Sequence, residues 1–157
     1  MKNWTTYLAA LLLAACGLLT GCLSDDDADE PDYAAIIDDY LAANGLADDA
    51  VLLPSGVAYA ITEPGAGPMP SLSDSIAVRY RGYLTTGQQF DESTTPVAFP
   101  LGGLISAWQQ VLPLVAEGSS LRLVSPPSSA YGTRPPQGSG IGPTSILVFD
   151  IDLVEVL

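Results

Sequence analysis

The sequence predicts an α+β fold: an antiparallel sheet with one short helix, preceded by an accessory helix near the N-terminus. Three observations lead there. Short stretches rich in apolar and β-branched residues recur from residue 57 to the end, each bounded by Gly, Pro, Ser or Asp. Only one helical pattern lies among them, around Trp108. Many strands around one short helix are the mark of an α+β domain with an antiparallel sheet. An amphipathic segment precedes the strands, with Tyr33, Ile36, Ile37, Tyr40 and Leu41 at helical spacing.

The chain has 157 residues, 48% of them apolar, enough for one compact domain with accessory segments. Residues 1–21 read as a signal peptide: Lys2 supplies a positive start, and residues 8–19 are apolar and uncharged. The ending Leu19-Thr20-Gly21-Cys22 resembles a bacterial lipobox, in which the chain is cut before the cysteine and its sulfur carries lipid. Cys16 lies too early to leave a full apolar stretch before it. After Cys22 there is no further cysteine, so no intramolecular disulfide can form. Residues 22–32 form an acidic tether that has almost nothing to bury. Beyond the leader, four arginines stand against eighteen acids, a net charge of −14, and ten of those acids lie between Asp25 and Asp49. So acidic a surface argues against nucleic acid or anionic phospholipid as a partner.

Within residues 33–50, Asp32 is placed to cap the accessory helix and Asn44-Gly45 to stop it. So short a helix is marginal alone, and the expectation is that it docks on its own domain, giving a monomer rather than a dimer. Residues 51–157 form the main domain. Leu53-Pro54-Ser55-Gly56 is a turn, 57–61 a short strand, and 64–68 a Pro/Gly loop. In 75–83, Ile76, Val78 and Tyr80 alternate with Ala77, Arg79 and Arg81, the pattern of a half-buried strand. Residues 84–88 turn the chain into Phe90. Leu104, Trp108, Leu112 and Val115 mark one helix face, which Pro113 ends or kinks, and Glu117-Gly118 turns the chain back. A strand at 121–124 follows, then a long loop at 125–143 of the kind that usually carries function. The last strand, 146–157, sets Leu147, Phe149, Ile151 and Leu153 on one side and Asp150 and Asp152 on the other.

After the leader the chain has no His, no Lys and one Cys, which the lipid would occupy. Hydrolase triads, Cys–His pairs, Schiff-base chemistry and the usual zinc sites are thereby excluded, and no cofactor or metal is expected. The glycine-rich Gly138-Ser139-Gly140-Ile141-Gly142 is flanked by prolines and precedes a strand, which does not suit a dinucleotide loop. What is left is chemistry that needs neither a nucleophile nor a strong base.

Five motifs now fall in order: Val78-Arg79-Tyr80-Arg81-Gly82, Gly87-Gln88-Gln89-Phe90-Asp91-Glu92-Ser93, Leu104-Ile105-Ser106-Ala107-Trp108, Ala130-Tyr131-Gly132 and Leu147-Val148-Phe149-Asp150. Together they resemble the FKBP family of peptidyl-prolyl cis/trans isomerases, over roughly the last two-thirds of the chain. The resemblance implies a twisted sheet curled around one short helix, and a pocket for a substrate proline. In that pocket Trp108 would be the floor, with Tyr80, Phe90 and Phe149 as walls. Leu104 and Ile105 would form the rim, the Ile105 amide and the Tyr131 hydroxyl would donate to substrate carbonyls, and Asp91 would be a buried polar group paired with the Tyr80 hydroxyl. Val97 would stand where a third wall aromatic is common, and Ile141 would line the far edge. The chain departs from the family pattern in a short stretch between Phe90 and Phe99, a shortened connection from Leu101 to Trp108, and Gly142-Pro143 in place of two prolines.

The implied function is isomerisation of Xaa-Pro bonds in exported polypeptides by an outer-membrane lipoprotein facing the periplasm, held to the bacterial envelope through Cys22. Leu23, not an aspartate, follows that cysteine, which favours the outer membrane. Two rival readings stay open: a proline-binding chaperone that barely catalyses, and a structural envelope lipoprotein.

Overall fold

The computed structural model describes residues 31–157. The expected signal peptide at 1–21, the lipid-bearing Cys22 and the acidic tether up to Glu30 lie outside the described residues. Among the described residues no helix is long and apolar enough to cross a membrane.

Helix α1 spans Tyr33–Ala43. Asp32 caps it as expected, its Oδ1 accepting from the Ala35 amide at 3.1 Å, which satisfies one of the orphan donors of the first turn. Gly45, at φ +68°, ends it. The Gly45 amide donates to the Ala42 carbonyl and the Leu46 amide to that of Leu41, a Schellman closure. The helix is therefore shorter than the 33–50 segment, and its buried stripe is narrower than the sequence implies. Ile37 and Leu41 are buried against Ala58, Val124, Ile146 and Val148, with Tyr33 and Tyr40 beside them, while Ile36 points outward. The docking face follows the i, i+4 row from Tyr33 to Leu41, and Ile36 sits one residue, or about 100°, off that row.

Six strands form one sheet in the order β1-β2-β5-β6-β3-β4, with every neighbouring pair antiparallel. They are β1 (Val51–Leu52), β2 (Ala58–Glu63), β3 (Ser75–Leu84), β4 (Gln89–Pro100), β5 (Ser120–Ser125) and β6 (Leu147–Val156). Gly56 (φ +81°) turns β1 into β2, and Gly87 (φ +88°) turns β3 into β4, its amide donating to the Leu84 carbonyl at 2.8 Å. Two strands go beyond the sequence reading. β1 is only two residues long, and β4 is an edge strand whose side chains are mostly exposed.

The helix around Trp108 is also shorter than its apolar spacing implies. Helix α2 covers Ser106–Val111, between 3₁₀ turns at Leu101–Gly103 and Leu112–Leu114. Leu104 is extended, at φ −86° and ψ 175°, so it lies outside the helix. Pro113, lacking an amide hydrogen, falls in the second 3₁₀ turn, where the α-helical ladder stops.

The sheet is buried on both faces at its centre. One face carries Val57, Ile76, Val78, Leu121, Leu123, Leu147, Phe149, Ile151 and Leu153 against Trp108, Val111 and Leu112. The row Ala58–Val124–Val148 faces the other way, onto α1. That same face becomes polar toward β3: Arg122 Nε and a terminal nitrogen donate to the two Asp150 oxygens at 2.6 and 3.1 Å, and the Tyr83 hydroxyl donates to Asp150 at 3.2 Å. Asp150 therefore faces away from the pocket side of the sheet, as the alternation of β6 predicts.

Candidate active site

Residues from six separate places meet over the α2 side of the sheet. Tyr80 comes from β3, Phe90 and Asp91 from the start of β4 and Phe99 from near its end. Gly103, Leu104 and Ile105 come from the connection to α2, Trp108 from α2 itself, Tyr131 from the long loop and Phe149 from β6. Together they line a cavity of about 280 Å³.

Trp108, 4% exposed, is the hub of the aromatic set. The Tyr80 ring stands 5.6 Å from it at 83°, and the Phe149 ring 5.4 Å at 90°. Phe90 meets Phe149 at 5.6 Å and 86°, and Phe99 meets Tyr80 at 6.2 Å and 62°. Edge-to-face pairs of this kind join a positive ring edge to a negative ring face, and each contributes about 0.5–1.5 kcal/mol beyond area burial. Four such pairs in series hold the rings upright, so the space between them is not filled by their own collapse.

The polar groups are few. The Tyr80 hydroxyl donates to Asp91 Oδ2 at 2.8 Å, the pairing that the family resemblance implies. Asp91 itself is exposed, not buried, because β4 is an edge strand and the carboxylate reaches the cavity mouth from its solvent side. Burial, then the hydrogen bond and charge of Asp91, push the Tyr80 hydroxyl up from 10.0 to about 12. Burial and the same negative charge raise Tyr131. Both phenols thus keep their protons at neutral pH and above. Among the described residues the Tyr131 hydroxyl and the Ile105 amide have no protein acceptor. Tyr131 is held by its loop: the Thr144 amide donates to the Gly132 carbonyl at 3.0 Å, closing the base, and Gln88 Nε2 donates to the Gly140 carbonyl at 3.3 Å.

The structure thus brings together Tyr80, Phe90, Asp91, Leu104, Ile105, Trp108, Tyr131 and Phe149. Two candidates fall outside the lining. Val97 is half-buried opposite Val78 on β3, and Ile141 packs from the loop against the core. Phe99 does line the cavity, two residues beyond Val97 and so on the same face of β4; its larger ring is the one that reaches Tyr80. The sequence carries that signal in the Val97/Phe99 alternation, once β4 is recognised as a strand.

An antiparallel sheet packed on a short helix, with a cavity of upright aromatic rings and one carboxylate at its mouth, defines a class of domain with an apolar aromatic pocket on one face of its sheet. Residues 67–154 match the family model described as FKBP-type peptidyl-prolyl cis-trans isomerase. The chain belongs to the FKBP-type peptidyl-prolyl cis-trans isomerase family. It is 40% identical over 105 residues to FKBP-type peptidyl-prolyl cis-trans isomerase FkpA of Escherichia coli, covering 65% of this chain and 38% of that one. It is 37% identical over 122 residues to outer membrane protein MIP of Legionella longbeachae, covering 76% and 52%. The crystal structure of a peptidyl-prolyl cis-trans isomerase from Pseudomonas syringae pv. tomato matches with a TM-score of 0.70 at 33% identity, over 82% of this chain and 97% of that one. The chain spans less than two thirds of the length of the curated relatives named here.

Proposed function

We propose that the protein is a peptidyl-prolyl cis/trans isomerase acting on proline-containing segments of exported polypeptides. The observation that carries this reading is the aromatic cavity closed below by Trp108, with the Tyr80 and Phe149 rings standing perpendicular to it. Rotation about a peptide bond meets a barrier of about 18–20 kcal/mol because resonance between nitrogen and carbonyl must be broken. The twisted amide has less charge separation than the planar one, so water solvates it less well. A dry apolar wall therefore favours the transition state over the ground state, and each tenfold in rate needs only about 1.4 kcal/mol of that difference. In this reading the proline ring lies on Trp108, Phe90 and Phe99 wall it in, and the Ile105 amide and Tyr131 hydroxyl donate to the flanking carbonyls. Asp91 orients the Tyr80 hydroxyl and with it the ring. Leu104 shapes the rim.

The test is a protease-coupled assay on a short Xaa-Pro peptide with the chain lacking residues 1–22. Turnover supports the reading; tight peptide binding without turnover would replace it with a chaperone. Phe90→Ala, Asp91→Ala and Tyr131→Phe should each lower kcat/KM, on the order of tenfold, with the fold intact by circular dichroism. The rate should be flat from about pH 6 to 8, because the lining holds no His, Lys or Cys and both phenols are pushed upward. The sign for stability is set by Tyr80. Its raised value means the folded state holds the proton more tightly, so this stabilisation is present below pH 10 and is lost as pH climbs toward 12. A bell-shaped rate profile centred near neutrality would show that some other group does the chemistry.

We further propose that the chain is exported and lipidated at Cys22, as a monomer facing the periplasm from the outer membrane. The support is the uncharged apolar leader ending in Leu19-Thr20-Gly21-Cys22, together with similarity to the relative named outer membrane protein MIP. Cys22→Ser should shift the protein from the membrane fraction to the soluble fraction or leave an unprocessed precursor. Normal membrane recovery of a processed variant would sink the anchor.

A further inference from the structure

Successive residues of a strand point to opposite faces, yet Phe90 and Asp91 both line the same cavity. The strand register explains this. Gly82 pairs with Asp91 and Tyr83 with Gln89, which leaves Phe90 as an extra, unpaired residue on β4. It is a β-bulge, the device that re-aims a side chain at the edge of a sheet. On its other side Gly82 pairs with Phe149 of β6. The bulged Phe90 ring thus swings across β3, directly over Gly82, to meet the Phe149 ring edge-on at 5.6 Å.

That path is open only because residue 82 has no side chain. A Cβ built there would lie 2.6 Å from both Cε2 and Cζ of Phe90 and 3.1 Å from Cε1 of Phe149. The backbone does not itself demand glycine, since Gly82 is not among the residues with positive φ. The space does. We propose that Gly82 is a positioning residue for the cavity: together with the bulge at Phe90 it seats the Phe90 ring against Phe149 and so sets the position of that wall. This rests on the isomerase reading above and extends it to a residue that touches no substrate.

Leucine at position 90 lacks the two ring atoms that meet the added Cβ, and this gives the test. Wild type, Gly82→Ala, Phe90→Leu and the double variant are compared in the Xaa-Pro assay and by thermal unfolding. Gly82→Ala alone should lower kcat/KM on the order of ten- to a hundredfold, because a catalytic wall is displaced by about an ångström. In the Phe90→Leu background the same change should leave kcat/KM and melting temperature within about twofold and a degree or so of Phe90→Leu itself, the signature of two coupled positions. An equal penalty in both backgrounds, or a silent Gly82→Ala, overturns the proposal. If Gly82→Ala does not fold, recovery of folding in the double variant supports it and failure to recover overturns it. A wild-type chain that turned over no Xaa-Pro peptide would sink the isomerase reading alone, since the melting temperatures of the four proteins judge the glycine without any activity.

Discussion

Trp108→Ala should cost both the reaction and much of the stability. The indole is nearly fully buried and stands perpendicular to two further rings, so truncation removes the floor and leaves Tyr80 and Phe149 without the ring they pack against. Truncating a buried Trp costs about 3–5 kcal/mol, against a total of about 5–15 kcal/mol for a domain of ordinary stability. The melting temperature should fall by roughly 10–25 °C, and kcat/KM should drop to the level of the uncatalysed peptide. Trp108→Phe, which keeps a ring face, should retain part of both. Thermal unfolding and the coupled assay on the same preparations check this. A folded Trp108→Ala protein with the wild-type rate would mean that the substrate proline lies elsewhere.

Ile37→Asp should release α1 while leaving the pocket working. Ile37 is buried to 1% exposure among Ala58, Val124 and Val148, apolar side chains that cannot pair a carboxylate. Undocking the helix costs less than burying the charge, so the loss is capped at what docking contributes, roughly 2–4 kcal/mol from two buried aliphatic side chains less their ordering. A three-turn helix freed from the sheet does not persist alone. Amides 33–46 should therefore lose their hydrogen-exchange protection, while those of β5 and β6 keep theirs. Because α1 and the pocket occupy opposite faces, kcat/KM should change by less than about twofold. A change in sedimentation between wild type and variant would show instead that Ile37 and Leu41 hold two chains together.

Where local chemistry has one strong solution, the sequence is a good guide. Asp32 and Gly45 mark the ends of α1 because capping oxygens and left-handed backbone are demanding, and the alternation in β6 is clear because its pocket-side residues are all large and apolar. Helix α2 is over-read from Leu104 because a four-residue spacing to Trp108 looks helical even when the first residue is extended. Strand β4 is missed because it lies at the sheet edge: Thr94, Thr95 and Pro96 interrupt its apolar residues, and Proline in a run argues against a strand. That omission hides Phe99 and the exposure of Asp91. The pocket residues themselves are legible through the order of five motifs and not through periodicity, since no spacing rule joins Trp108 on α2 to Tyr131 in the loop. Gly82 stands at the end of the first motif, but its role is not legible there, because that role is the volume it leaves empty.

The placement of β4 at the edge and of β6 at the doubly covered centre divides the pocket into two mechanical halves. Phe149 and Trp108 belong to the part of the molecule packed on all sides, where side-chain positions are hardest to change. Phe90, Asp91 and Phe99 hang from a strand paired on one side only, whose outer backbone groups face solvent. Such an edge yields at lower free energy than the centre. The cavity therefore has a firm bed and one compliant wall: in the proposed isomerase reading the proline ring rests on the fixed indole, and Phe90 and Phe99 close on it from the side that can give. Under the proposed isomerase reading, that asymmetry lets one pocket take many sequences around a constant ring.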